Sequence, residues 1–371
     1  MKYHSLAYTL ALLLAAASSG FAQQNNHAVF IMTNSAFHNE IVTYNRLDNG
    51  SLQQAGRFST HGRGSGGQID PLSSQGSLVL SQDAAFLYAV NAGSGTVSIF
   101  RVQGSTLALQ DVQPTFGVEP NAITQHGDLL YVANAGAASS VVGFHIQEDG
   151  RLEFIPNSLR FLSGNGAAPG GIAISPDGEF LAVTEHANNN IDVFKIQGDG
   201  TLAPIVVNHD ATPGTFSVIF APDGALLVTE TGPSSGTNAS ATSSFFIESD
   251  GTLADVTAGL PTLGAGACWN VITPNGKFVY VSNSASSTLA GFSVGSGGAL
   301  TPLSGTIVAK NAAGSTNLDI AVSNDGRFLY TLNVGAGTIT VFAIQSNGSL
   351  TAQNMVTGLT AAAGLNGIAA Y

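Results

Sequence analysis

Residues Ile172–Leu202 read IAISPDGEFLAVTEHANNNIDVFKIQGDGTL, and their pattern decides the fold. The stretch holds three short apolar runs: Ile172–Ser175, Phe180–Thr184 and Ile191–Ile196. Ser175-Pro176-Asp177-Gly178 separates the first two. It is a tight-turn tetrapeptide in which Pro presets φ, Asp bonds back to the backbone and Gly accepts a positive φ. An Asn-rich loop separates the last two runs, and Gly198-Asp199-Gly200 follows them. Short apolar runs between turn signals predict an antiparallel meander. A meander this small cannot bury both of its faces, so it requires copies of itself.

The copies are present. The second run recurs as VFIMTN (29–34), FLYAVN (86–91), LLYVAN (129–134), FLAVTE (180–185), ALLVTE (225–230), FVYVSN (278–283) and FLYTLN (328–333). The closing residues are Asn34, Asn91, Asn134, Glu185, Glu230, Asn283 and Asn333, spaced 43 to 57 apart. The third run also occurs seven times, from IVTYNRLDNGSL near the start to ITVFAIQSNGSL near the end. First-strand runs precede all but the first copy, and the missing one lies at the C-terminus, where Gly367–Tyr371 matches Gly171–Ile174. A repeat offset by one strand is what a closed ring needs when the chain ends share a blade. A linear solenoid would show polar caps instead. The expected fold is all-β: a seven-bladed β-propeller of four-stranded antiparallel blades, closed by the C-terminal strand joining the N-terminal blade.

In such a ring the first strand of each blade lines a central channel. The Ser-Pro-Asp-Gly turns lie on one rim. The loops after second strands, and those entering first strands, lie on the opposite rim, here called the top. Two top stretches stand out. Gln53–Ser77 is long and carries His61, Arg63 and Asp70 among glycines; Thr231–Thr242 is rich in Gly, Ser and Thr.

Charged residues are only 9% of the chain and net charge is −12, with 11 Lys and Arg in all. Nucleic acid is excluded as a partner, because phosphates need clustered cations. No basic amphipathic helix suggests membrane binding. Residues 1–22 have the form of a signal peptide: Lys2, an apolar Leu6–Ala17 and a small-x-small site at Gly20-Phe21-Ala22. The expectation is a secreted or periplasmic protein whose domain is residues 23–371. Cys268 is the sole cysteine, so an intrachain disulfide and multi-cysteine metal sites are excluded.

Candidate site residues gather on the top rim. His38 and His186 follow second strands, and His61 and His209 precede first strands. The plainer reading is that polar loops contain His. Most of the closing asparagines are expected to cap the turn that follows them. Glu185 and Glu230 depart from that ring in adjacent blades. Two carboxylates near an axis could serve as acid and base, with His186 and His209 assisting, or bind Ca²⁺ together with Asn carbonyls. No metal-spacing motif supports the calcium option, and no other cofactor is implied. His38, His61, Arg63 and Trp269 are candidate ligand contacts. Trp269 would be a stacking platform near the channel, the alternative being a packed aromatic beside a buried Cys268.

The Pro-Asp-Gly turn followed by FLYV-x-N resembles the repeats of the seven-bladed lactonase family, which includes propeller-type 6-phosphogluconolactonases and fungal carboxymuconate cyclases. It also looks like the YVTN repeats of surface-layer propellers. The resemblance covers essentially all of residues 23–371 and implies lactone hydrolysis or formation. Family repeats carry a Pro-His pair shortly before the turn proline. Here those slots hold Pro169-Gly170, Thr215-Phe216, Ala267-Cys268, Asn317-Leu318 and Leu365-Asn366. The family's active-site His is therefore not carried onto this chain. Two functions stay open: a lactonase-like enzyme acting on a small lactone, sugar or organic acid at the channel top, and a non-catalytic propeller that binds a protein or glycan.

Overall fold

The computed structural model describes residues 27–233 and 238–371. The leader, residues 1–22, and positions 234–237 of the Gly/Ser/Thr-rich stretch lie outside the described residues. The described chain forms seven antiparallel sheets and no helix. Blade 1 takes the order Ile368–Ala370, Ala28–Met32, Glu40–Arg46, Leu52–Ser59. Blades 2 to 7 begin at the first strands Leu78–Leu80, Pro120–His126, Pro169–Ile174, Thr215–Phe220, Ala267–Ile272 and Asn317–Val322. The expected ring closure is present, with Val29 opposite Ala370, Phe30 opposite Ala369 and Ile31 opposite Ile368. Residues 28–32 are fully buried, and the Tyr371 ring stacks on Phe30 at 6.1 Å.

The repeat motif explains how blades grip one another. In the turn after the first strand of blade 4, Ser175 Oγ donates to Asp177 (2.5 Å) and accepts from Phe180 N–H (2.9 Å). The same device recurs at Ser81/Asp83 and Ser323/Asp325. The second-strand tyrosines are fully buried, yet Tyr131 donates to Gly200 O of the next blade at 2.7 Å. Tyr280 does the same to Gly348 O at 2.8 Å. Both glycines have positive φ and sit against side chains of the preceding blade, Gly200 on Ile155 and Leu129 and Gly348 on Phe278. The Gly-x-Gly signal thus encodes an inter-blade contact as well as a hairpin.

Two sequence boundaries shift. Within the stretch taken as one long loop, Leu52–Ser59 is the outer strand of blade 1, so the loop itself is Thr60–Ser77. His209 ends the outer strand of blade 4, Val206–His209, rather than lying in the loop beyond it. Blade 3 has its outer strand broken into Leu152–Phe154 and Arg160–Phe161. Pro156 falls in the break, where it lacks a ladder donor. Ser158 Oγ fills the gap by accepting from Gly143 N–H at 3.0 Å.

Candidate functional site: the channel top

The loop Thr60–Ser77 does not stay on the surface. Its end descends into the channel and ties first strands of non-adjacent blades together. Gln75 N–H donates to Gly170 O of blade 4 at 2.8 Å. The Gln75 side-chain amide makes a reciprocal pair with the backbone of Asn270 in blade 6, both bonds 2.9 Å. Ser74 Oγ donates to Asn121 O of blade 3 at 2.8 Å, and Ser74 O accepts the Trp269 indole N–H at 3.1 Å. Gly76 needs its positive φ here, since its carbonyl must also take Ile123 N–H at 2.8 Å. The segment is a plug. Below it, a cavity of about 390 Å³ is walled by Ile123, Ile172, Ile174 and Val218, with Gln82, Thr124, Gln125 and His126 among its polar groups.

The same loop brings Asp70 to the blade 7–blade 1 seam. Asp70 Oδ1 accepts from Ser73 N–H (3.0 Å) and from the Asn366 amide (3.2 Å). Asn366 Oδ1 accepts in turn from Ser77 Oγ at 2.8 Å. Asp319, on the first strand of blade 7, is buried. It accepts from Ile320 N–H (3.0 Å) and, across the seam, from Ile368 N–H (3.3 Å). Burial pushes both carboxyls up to about 7, against the pull of these hydrogen bonds, and the charge of Asp70 raises Asp319 further. No cation figures among the groups acting on either. Cys268 completes the cluster: burial pushes its thiol up to about 12, with Asp70 adding to the shift, so it is not a thiolate nucleophile at neutral pH.

The residues singled out in the sequence scatter. Glu185 and Glu230 are both fully buried, and neither is a hydrogen-bond partner of the other. Glu185 lies in the blade 3–blade 4 seam, away from the channel. It accepts from Ser163 N–H (2.7 Å), Ser163 Oγ (2.5 Å) and Asn188 (2.9 Å). Burial pushes its carboxyl up, but hydrogen bonds from Asp192, Ser163 and Asn188 outweigh it and hold Glu185 low. Asp192 is its counterpart, raised to about 8 by burial and by the hydrogen bond and charge of Glu185. The pair therefore holds one proton at neutral pH. The reason lies in the repeat. Where other blades put an Asn amide against a hydroxyl, as Asn91 against Ser98 and Asn333 against Thr340 (both 2.8 Å), this blade puts carboxyl against carboxyl. Glu230 is raised well above the ordinary range by burial and by the charge of Asp210.

His209 reaches Glu185 only through Asn190: its Nδ1 lies 3.2 Å from Asn190 Oδ1, whose amide donates to Glu185 Oε2 at 3.3 Å and to Ser163 Oγ at 3.1 Å. His186 turns toward the channel side, where Nδ1 meets Thr215 O at 3.0 Å and the ring packs edge-on against Phe216. His38, His61 and Arg63 are exposed on the top rim. Trp269 has no exposed surface; it packs on Phe216 and holds the plug, so it offers no face on which a ligand could stack. Among the described residues no three His, Cys, Asp or Glu side chains converge as a metal site would require.

Sequence reasoning noticed Asp70 but did not join it to Asp319. A signal existed. Four residues before each turn serine or its equivalent, the repeats carry Ser77, Asn121, Gly171, Ser217, Trp269, Asp319 and Gly367. Asp319 is the lone charge in that ring. Cys268 and Asn366, which Asp70 affects by charge and by hydrogen bond, occupy the slots where the repeats of the resembled family carry His.

A family model described as lactonase, 7-bladed beta-propeller, matches residues 21–165 and 122–360. A 6-phosphogluconolactonase of Formosa agariphila is 27% identical over 189 residues. That match covers 48% of this chain and 50% of the relative, so the chain spans about half the length of the curated relative it matches. Among solved structures, one described as a putative 6-phosphogluconolactonase from Bacteroides uniformis aligns over 94% of this chain and 100% of its own, with TM-score 0.72 and 20% identity. The periplasmic gluconolactonase of Pseudomonas aeruginosa aligns over 92% and 98%, with TM-score 0.67 and 18% identity. These two likenesses concern the fold.

Proposed function

Because the chain belongs to the seven-bladed β-propeller lactonase family and is related to 6-phosphogluconolactonases, we propose that it hydrolyses a small neutral lactone at the top of its channel, with Asp70 and Asp319 as the acid–base pair. The observation that carries this is two carboxyls raised to about 7 at the channel top. A proton acceptor works best when its pKa lies near the working pH. Asp70, largely buried but the less enclosed of the two, takes a proton from water as the oxygen attacks the lactone carbonyl. The tetrahedral intermediate then collapses, the ring C–O bond breaks, and the leaving alkoxide recovers that proton from Asp70. Asp319 sits behind as the second charge that keeps one proton on the pair.

The substrate follows from charge. A phosphate ester would bring a dianion to a pair of carboxyls on which no cation acts, in a protein of net charge −12. An unphosphorylated sugar lactone suits the site better, and an exported enzyme would meet such substrates outside the cytoplasm. Export is part of the proposal, resting on the Leu6–Ala17 run; a mature protein whose first residue is Gln23 by mass spectrometry would support it.

The test compares glucono-δ-lactone with its 6-phosphate in a pH-stat, using the unaltered chain, Asp70→Asn and Asp319→Asn. Preference for the neutral lactone is expected, with turnover lost by about 10²–10⁴ in Asp70→Asn. Undiminished turnover in both variants ends the proposal. The binding-module reading has one observation in its favour. Phe116, Val118, Phe154 and Phe161 are all at least 36% exposed, on or beside blade 3, an apolar surface suited to a protein partner. It would be preferred if no lactone is turned over.

A further inference from the structure

A cleft larger than the cavity below the plug lies at the top of blade 1. It has a volume of about 550 Å³ and runs between the loop 33–40 and the closing segment 359–365. Its lining combines three kinds of group. Leu359, Ala363 and Leu365 form an apolar floor. Phe37 stands over it with 82% of its surface exposed, the most of any large apolar side chain described. Glu40, Arg57 and His38 supply its ionisable groups, beside the hydroxyls of Thr33, Ser35 and Thr360.

The Glu40–Arg57 pair is partly uncommitted. Both Nε and Nη2 of Arg57 donate to the same oxygen, Glu40 Oε2, at 3.1 and 2.7 Å. Glu40 Oε1 and Arg57 Nη1 have no protein partner among these bonds, and both side chains are about one-third to one-half exposed (32% and 46%). An acceptor and a donor held side by side match adjacent hydroxyls on one ring. The two charges cancel, so the cleft selects neither an anion nor a cation. An exposed aromatic face adds a surface for the C–H side of a saturated ring.

From this combination we infer that the blade 1 cleft is a binding site for a neutral pyranose, stacked on Phe37 with adjacent hydroxyls held by Glu40 and Arg57. A free sugar and a sugar unit of a glycan share that chemistry. Neither Asp70 nor Asp319 lines the cleft, although Gly66 and Gly67 of the loop that carries Asp70 border it, and its binding is read without turnover, so its failure and that of the lactonase reading are distinguishable.

The test is an NMR titration of the ¹⁵N-labelled full chain with methyl β-glucoside, methyl β-galactoside and sodium gluconate. Saturable shifts are expected at Phe37, Glu40 and Ala363 with at least one glycoside. Phe37→Ala should weaken that binding about tenfold, and Glu40→Gln should weaken it as well. Phe37 is a surface residue, and an otherwise unchanged spectrum of the variant establishes that it is folded. The inference is overturned if neither glycoside gives saturable shifts, if Phe37→Ala binds as tightly as the unaltered chain, or if gluconate binds more tightly than both glycosides. A methyl glycoside of an oligosaccharide that binds more tightly than the monosaccharide, with the same residues shifting, identifies the glycan as the source of the sugar.

Discussion

The Trp269 indole N–H donates to the Ser74 carbonyl at 3.1 Å, joining blade 6 to a loop 195 residues earlier in the chain. That bond and the Gln75–Asn270 pair beside it place a plug across the channel. The channel is thereby divided, with the Asp70 cluster above the plug and the cavity lined by Ile123 and Ile172 below it.

Gln75→Ala should destabilise the protein measurably. It removes both side-chain bonds to Asn270 and leaves that residue's N–H and C=O unpaired in a buried place. The expected loss is about 1–3 kcal/mol, checked by urea denaturation. Gln75→Glu should be as harmful, because it replaces the donor to Asn270 O with an acceptor. An unchanged midpoint in both variants would mean that the plug is not held as described.

The lactonase reaction should depend on the Asp70–Asp319 pair through pH. A base must be unprotonated, so kcat/KM should rise with pH and level off above about 7, where the pair has lost its shared proton. Asp319→Asn removes the second charge. It should move the midpoint of the profile to lower pH, while Asp70→Asn should remove the rise altogether. A profile flat from pH 5 to 9, as an enzyme without this pair would give over roughly that range, would contradict the assignment.

Asp192 makes a prediction about stability. Its carboxyl is raised to about 8 in the folded protein, whereas the unfolded chain ionises it in the ordinary carboxylate range. Between those values the folded state holds the extra proton, so stability falls as pH rises through that window and levels off above about 8. Glu185, held low, acts in the opposite direction, its stabilisation being lost only in acid. Asp192→Asn keeps a donor facing Glu185 without the titration. It should raise stability at pH 8 by on the order of 1 kcal/mol and flatten the alkaline side of the profile. Thermal melts at pH 5 and pH 8 would check this; a variant less stable at both would contradict it.

Removing Ile368–Tyr371 should open the ring. The deletion takes away the strand paired with Val29–Ile31, the Phe30–Tyr371 stacking and the acceptor role of Asp319 toward Ile368. Residues 28–32 would become an unprotected apolar edge. A lower unfolding midpoint and concentration-dependent aggregation are expected in light scattering. Deleting Tyr371 alone should leave the paired strand in place and cost much less.

Much of the ring was legible in the chain because blade formation is local. Turn chemistry at Ser175–Gly178, the apolar run that follows it, and the hairpin glycines act within one repeat, and each was repeated often enough to count. The closing strand was legible too, as the sole copy out of order. The candidate site was not. Glu185 and Glu230 stood out as substitutions in a ring of asparagines, but a strand-end side chain in the second position of a blade points into the seam toward the third strand. For Glu185 that places Asp192 opposite, while Glu230 feels the charge of Asp210 from the neighbouring blade, and no spacing in the sequence states either direction.

What the chain determined by itself is therefore the seven-fold repeat, the four-stranded blade and the fastening of Ile368–Ala370 onto Val29–Ile31. Short-range turn geometry and alternating apolar runs suffice for these. Only the tertiary structure decided that Thr60–Ser77 enters the channel, that Trp269 holds it there, and that the charge of Asp70 acts on the buried Asp319 near the closing seam. Those depend on side chains from distant repeats arriving at one point, and on the burial that this imposes on their charge, neither of which is a property of any local stretch.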